Sequence, residues 1–141
     1  MSDIHIAGTG IWYPEDKISN TELVESYNNY VRRFNIDNSK KIDSGDIVRM
    51  EESSVEFIVK ASGIESRHVI DKDGILDIDR MMPKVVNEDH DKLSIHAQAG
   101  IKAAIKAMNE ADVTPEQIDA VIVGTSHSVR NYPAVAIEIQ N

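Results

Sequence analysis

The chain has 141 residues, 41% of them hydrophobic and 28% charged, a balance that supports a packed core and excludes disorder. Its net charge of −9 excludes nucleic acid as a partner, because phosphates would repel such a surface. With no cysteine, the chain has no disulfide, no thiolate metal site and no thiol nucleophile of its own. The length suits one domain or part of one. No apolar run approaches the roughly 20 residues of a membrane span, and the opening MSDIHIAGTG lacks a basic stretch followed by an apolar one. A cytoplasmic protein without membrane partners is therefore expected.

Ile4 to Ile11 reads as a first strand. Gly8-Thr9-Gly10 resembles the start of a dinucleotide fingerprint, but Tyr13 stands where the third glycine belongs and Pro14 interrupts the helix that should follow. The two glycines are better explained by close packing or a bend, and no cofactor is expected. Ser19-Asn20-Thr21-Glu22 forms a capping box, and Leu23, Tyr27, Tyr30, Val31 and Phe34 follow at helical spacing. From Asn35 to Glu52 the period decays, and residues 35–52 read as an insertion, partly helical and partly mobile. The basic pairs Arg32-Arg33 and Lys40-Lys41 suit a solvated face better than an acidic partner.

Ser53-Ser54-Val55-Glu56 predicts a second capping box and a short helix through Ala61, with Gly63 as its left-handed C-cap. Arg67 to Ile70 is a candidate strand and Asp71 to Gly74 a turn. The aspartates 71, 73, 77 and 79 lack the spacing of a calcium loop. His90 and His96 are six residues apart, so no metal site is expected. Ser94 caps the best helix in the chain, with Ile101, Ala104, Ile105 and Met108 on one stripe beside Ala97, Gly100 and Ala111. Thr114 to Gln117 is a capped helical turn, and Ile118 to Val123 reads as a strand buried on both faces. A polar loop, Thr125 to Asn131, precedes a helix opened by Tyr132-Pro133. In an open α/β sheet, a loop at the carboxyl end of a buried strand is where ligands bind. The periods together predict an α/β layer structure, with the strands 4–11 and 118–123 in one sheet under the Ser94–Ala111 helix.

Taken in order, ISNTEL after Gly8-Thr9-Gly10, SSVEFIVKASGIESRHVID, GILD, LSIHAQAGIKAAIKA, IDAVIVGT and YPAVAIEIQ resemble the β-ketoacyl-acyl-carrier-protein synthase III family. The resemblance spans nearly the whole chain apart from residues 35–52. It implies that residues 1–141 are the amino-terminal half-domain of a thiolase-like fold, a layered αβα structure. It also implies a condensing enzyme of fatty acid biosynthesis, in which a cysteine accepts an acyl group from acyl-CoA or an acyl-carrier protein. Malonyl-acyl-carrier protein then supplies the attacking carbon. The family's cysteine falls on the strand-to-helix turn after YPAVAIEIQ, with its histidine and asparagine later still, so no catalytic residue is expected within the chain.

Four positions inherit substrate contacts through the resemblance. Phe57 matches a tryptophan that stacks on the CoA adenine, and Ser53 a threonine near the same nucleotide. Ala61 replaces an arginine on the CoA phosphates, which removes a charge-assisted contact and favours a longer acyl group or a carrier-protein donor. Tyr132 matches an aromatic residue that reaches across a homodimer interface to line the partner's acyl pocket. The competing reading of Phe57 is a buried helix-face aromatic. Two other functions keep the fold: a non-catalytic assembly fragment completed by the remaining carboxyl-terminal part, and an acyltransferase with a different acceptor.

Overall fold

A computed structural model describes residues 4–84 and 92–141, so His90 lies outside the described residues. The chain is α/β, about half helical with a small antiparallel sheet, and divides into two compact units. One contains residues 14–84 and the other residues 4–13 with 92–141.

The 14–84 unit is built on α1 (Asn20–Asp37). Its capping box forms as the sequence predicts: the Glu22 amide donates to Ser19 Oγ at 3.2 Å, and the Ser19 amide donates to Glu22 Oε2 at 2.9 Å. Lys72 Nζ closes on the other carboxylate oxygen at 2.6 Å. These contacts, led by that of Lys72, hold the Glu22 pKa at about 2, against an ordinary 4.5. Val31 of α1 is fully buried, as is Ile18 of β1 (Lys17–Ser19). β1 pairs antiparallel with β2 (Ser66–His68), with Ile18 opposite Arg67. The sequence reading placed a strand at Arg67–Ile70 and none at Lys17–Ser19. Asn20, almost wholly buried, anchors this corner, donating to the Ile64 carbonyl and accepting from Arg67 Nη2.

Residues 35–52 fold differently in their two halves. Asn35 still belongs to α1, and α2 (Ser39–Asp43) follows with Gly45 at φ 80°. The remainder is strapped to α1 by two asparagine side chains. Asn35 donates to the Met50 carbonyl and accepts the Met50 amide, at 2.9 and 3.0 Å. Asn28 does the same with Ser53, at 3.0 and 2.8 Å. Seven helical residues rise about 10 Å, and three extended residues cover about the same distance. The two amides therefore meet the strap in register, as a neighbouring strand would.

α3 (Val55–Ser62) begins one residue later than the sequence suggested. Ser54 is its N-cap, accepting from the Phe57 amide at 3.1 Å. Ser53 cannot take that place because both its backbone groups are engaged by Asn28. Gly63 closes the helix at φ 69°, the left-handed conformation that glycine adopts without a Cβ clash. The turn expected at Asp71–Gly74 is the start of α4 (Lys72–Leu76), capped by Asp71 through the Gly74 amide. Arg32 pairs with Glu52 and Arg33 with Asp79, so both arginines of the basic cluster are used internally.

The second unit centres on α5 (Ile95–Ala111), capped by Ser94 and ended by Asp112 at φ 54°. The strand expected at Ile4–Ile11 is not formed; none is assigned there. Residues 8–12 instead run antiparallel along α5. A Cβ on Gly8 would lie 2.3 Å from the Ala107 carbonyl oxygen, and one on Gly10 would lie 2.1 Å from that of Ala103. The glycines thus allow direct seating on the small-residue ridge Ala103, Ala107, Ala111. Thr9 donates twice to Glu110, and Lys106 Nζ donates to the Ile11 carbonyl at 2.9 Å. Lys102 sits 4.7 Å over the Trp12 ring.

The strand expected at Ile118–Val123 is not assigned either, and Ile122 is 94% exposed. A strand needs a neighbour to satisfy its backbone groups, and no described segment of this unit supplies one. The anticipated sheet under α5 is therefore absent, leaving Ile105 exposed and Ile101 and Met108 half-buried. The capped turn Pro115–Gln117 forms as a 3-10 helix with its capping box. α6 (Val135–Gln140) packs against α5, where Ile139 Cδ1 occupies the space that a Cβ on Gly100 would need.

Candidate functional site

The strap between α2 and α3 does more than join them. Held antiparallel along α1 by Asn28 and Asn35, it delivers Ser53 to the helix flank and Ser54 to the start of α3. Between α1, the strap and α3 lies an open groove of about 660 Å³. Leu23, Val24 and Tyr27 form the α1 wall, Phe57 and Ile58 the α3 wall, and Met81 one end. Met81 adopts φ 51°, unusual for a residue with a Cβ, and its amide is fixed by the Asp77 carbonyl at 2.7 Å.

Of the four positions that the resemblance singled out, Ser53 and Phe57 line this groove. The Phe57 side chain is 66% exposed, which rejects the reading of a buried helix-face aromatic. Its ring is a free apolar face at the mouth of a concavity. Ala61 lies one turn further along α3, exposed and outside the lining. Tyr132 belongs to the other unit, where it is 86% exposed beside a cis Tyr132-Pro133 bond.

The groove rim carries Glu51 and Glu52. Glu52 accepts from Arg32 Nη1 at 2.9 Å, so one of these charges is compensated locally. Sequence reasoning missed this acidic rim because residues 35–52 showed no period to orient them. It also missed the amide clamps, although a signal was present. Residues 24, 28, 31 and 35 are spaced four, three and four apart, so Asn28 and Asn35 share a face with Val24 and Val31. Polar amides on an apolar stripe require partners.

In the second unit, the Thr125–Asn131 loop borders a smaller hollow with the start of α6. Glu138, 4% exposed, joins the Ser94 hydroxyl and the Arg130 guanidinium. Arg130 also donates to the Lys92 carbonyl at 2.7 Å, tying the loop to the approach of α5. This buried network, also unforeseen, holds the loop rather than presenting a reactive group. Thr125 and Ser128 hydroxyls donate to the His127 and Arg130 carbonyls, while the His127 and His96 rings meet edge-on with centroids 6.3 Å apart. No serine–histidine nucleophile is assembled there.

A Pseudomonas aeruginosa protein named beta-ketodecanoyl-[acyl-carrier-protein] synthase is 42% identical over 117 residues, covering 83% of this chain and 33% of that protein. The chain belongs to the β-ketoacyl-acyl-carrier-protein synthase III family. A synthase III from Actinobacillus succinogenes is 31% identical over 97 residues, covering 69% of this chain and 24% of its own length. One from Clostridium acetobutylicum is 26% identical over 140 residues, covering 99% of this chain and 29% of that protein. The chain thus spans 24% to 33% of the length of these relatives. No family model matches the chain. Among the described residues, no helix is long and apolar enough to cross a membrane.

Proposed function

We propose that this chain is the amino-terminal part of a 3-oxoacyl-acyl-carrier-protein synthase III-type enzyme of fatty acid biosynthesis. The enzyme condenses an acyl thioester with malonyl-acyl-carrier protein. The carrying observation is the 42% identity over 117 residues to a protein named for β-ketodecanoyl synthesis, and a medium-length acyl donor follows from that name. Because the chain has no cysteine, the nucleophile of the acyl-enzyme comes from outside these 141 residues. The thiolate attacks the donor carbonyl and expels the donor thiol. Loss of carbon dioxide from the malonyl group then leaves a carbanion that attacks the acyl-enzyme and releases the cysteine.

In this proposal the layered αβα fold is completed by segments beyond the chain, the whole protein is a cytoplasmic homodimer, and residues 35–52 are an insertion. Phe57 and Ser53 contact the donor's distal end and Tyr132 the partner's acyl pocket, while Ala61 leaves the family's arginine contact unfilled. Mixing the full-length protein with malonyl-acyl-carrier protein and short, medium or long acyl donors tests the reading. Mass spectrometry should find a β-ketoacyl product, favouring medium donors. No product from any donor, with a folded protein, would refute it.

A further inference from the structure

The serine pair Ser53-Ser54 offers α3 two places to begin. Ser53-Ser54-Val55-Glu56 spells a capping box, with Ser53 as N-cap and Glu56 three residues on. From that start the Ser53 hydroxyl would accept the Glu56 amide and the Ser53 carbonyl would accept the first bond of the helix, from Phe57. The Ser53 amide would meet the Glu56 carboxylate. The structure takes the other start. Ser54, extended at φ −135° and ψ 159°, is the N-cap. Its hydroxyl accepts from the Phe57 amide at 3.1 Å and its carbonyl from the Ile58 amide at 3.3 Å. Local sequence does not favour this choice, because it puts Phe57 where a carboxylate or amide would return the bond. Asn28 decides it. Its Nδ2 donates to the Ser53 carbonyl at 3.0 Å and its Oδ1 accepts the Ser53 amide at 2.8 Å. Those are the two backbone groups that a Ser53 capping box would need. The Ser53 hydroxyl is left over: it takes no partner among the described residues, and Ser53 lines the groove with Phe57.

We infer that Asn28 is a positioning residue of the groove. By holding Ser53 it selects Ser54 as the cap of α3, and so keeps the Ser53 hydroxyl available to a bound acyl donor. The donor's presence in the groove rests on the proposed condensing function, whereas the choice of cap does not.

Two measurements on the full-length protein test this. The first is the crystal structure of Asn28→Ala and of the milder Asn28→Asp, which still accepts the Ser53 amide but cannot donate to its carbonyl. In both, Ser54 should turn into the helix and the Ser53 hydroxyl should accept the Glu56 amide. Ser54 still extended and still capping α3 in both variants would overturn the inference. The second is kinetics with octanoyl-CoA, whose eight carbons and two from malonyl make the ten of the β-ketodecanoyl product named for the Pseudomonas relative. Ser53→Ala and Asn28→Ala should each raise the KM for octanoyl-CoA roughly fivefold, the worth of one hydrogen bond. The kcat and the KM for malonyl-acyl-carrier protein should not change. The double variant should be no worse than either single one, since both remove the same hydroxyl from the groove. Independent effects, multiplying to roughly 25-fold, would overturn the inference. So would a fall in kcat with the octanoyl-CoA KM unmoved, which is what a purely structural role predicts. An unmodified protein that makes no β-ketoacyl product refutes the proposed reaction instead, and the crystal structures alone then decide the role of Asn28.

Discussion

At the residue scale, single polar side chains decide where the backbone goes. Asn35 is 8% exposed and satisfies both backbone groups of Met50. Asn35→Ala should cost roughly 1–3 kcal/mol, since two partly buried groups lose their partner at once. A denaturant melt of the full chain checks this, and a change below about 0.5 kcal/mol would show that water replaces the amide easily. Glu22 offers a pH test. Its folded pKa, about 2, lies below its ordinary 4.5, so ionisation stabilises the fold above about pH 4.5. That contribution is lost as pH falls toward about 2. Glu22→Gln should therefore lower the melting temperature at neutral pH, with the gap closing across that acid window. A gap that is constant with pH would mean that the Lys72 and Ser19 contacts do not depend on the charge.

At the scale of elements, α1 and α5 each collect an extended partner by a different route. α1 uses asparagine amides to hold residues 50–53, whereas α5 uses absent side chains to seat residues 8–12. Gly10→Ala would place a methyl 2.1 Å from the Ala103 carbonyl oxygen and 2.7 Å from the Ala107 nitrogen. Backbone cannot rotate aside as a side chain can, so the segment must lift. The expected loss is roughly 1–3 kcal/mol, with faster amide exchange at residues 8–12 and Thr9 released from Glu110. Unchanged exchange there would show that the segment is not held by its glycines.

At the scale of the whole molecule, the helices are better satisfied than the extended segments. Ile4, Ile6 and Ile122 are almost fully exposed, although their sequence context is that of buried strands. The 141-residue polypeptide by itself should form no acyl-enzyme, because it has no thiol and the Thr125 and Ser128 hydroxyls are turned to backbone carbonyls. Intact-mass measurement after incubation with an acyl-CoA checks this. A stoichiometric adduct on Ser126, His127 or Ser128 would move the chemistry into that loop.

What the sequence by itself determined is largely local. The caps at Ser19, Ser94 and Thr114 and the stop at Gly63 involve groups within a few residues of one another, so their spacing contains the information. The collinear motifs also carried the family. Strands were legible only as apolar runs, because an apolar run records a preference for burial and not the presence of a neighbouring edge. Lys17–Ser19 became a strand because Ser66–His68 lies beside it, while the more apolar Ile118–Val123 has no such neighbour among the described residues. The groove was decided by tertiary structure alone. Phe57 and Ser53 were found through the resemblance, but the acidic rim required Asn28 and Asn35 to meet backbone 15 to 25 residues away. Only folding brings such distant groups into register.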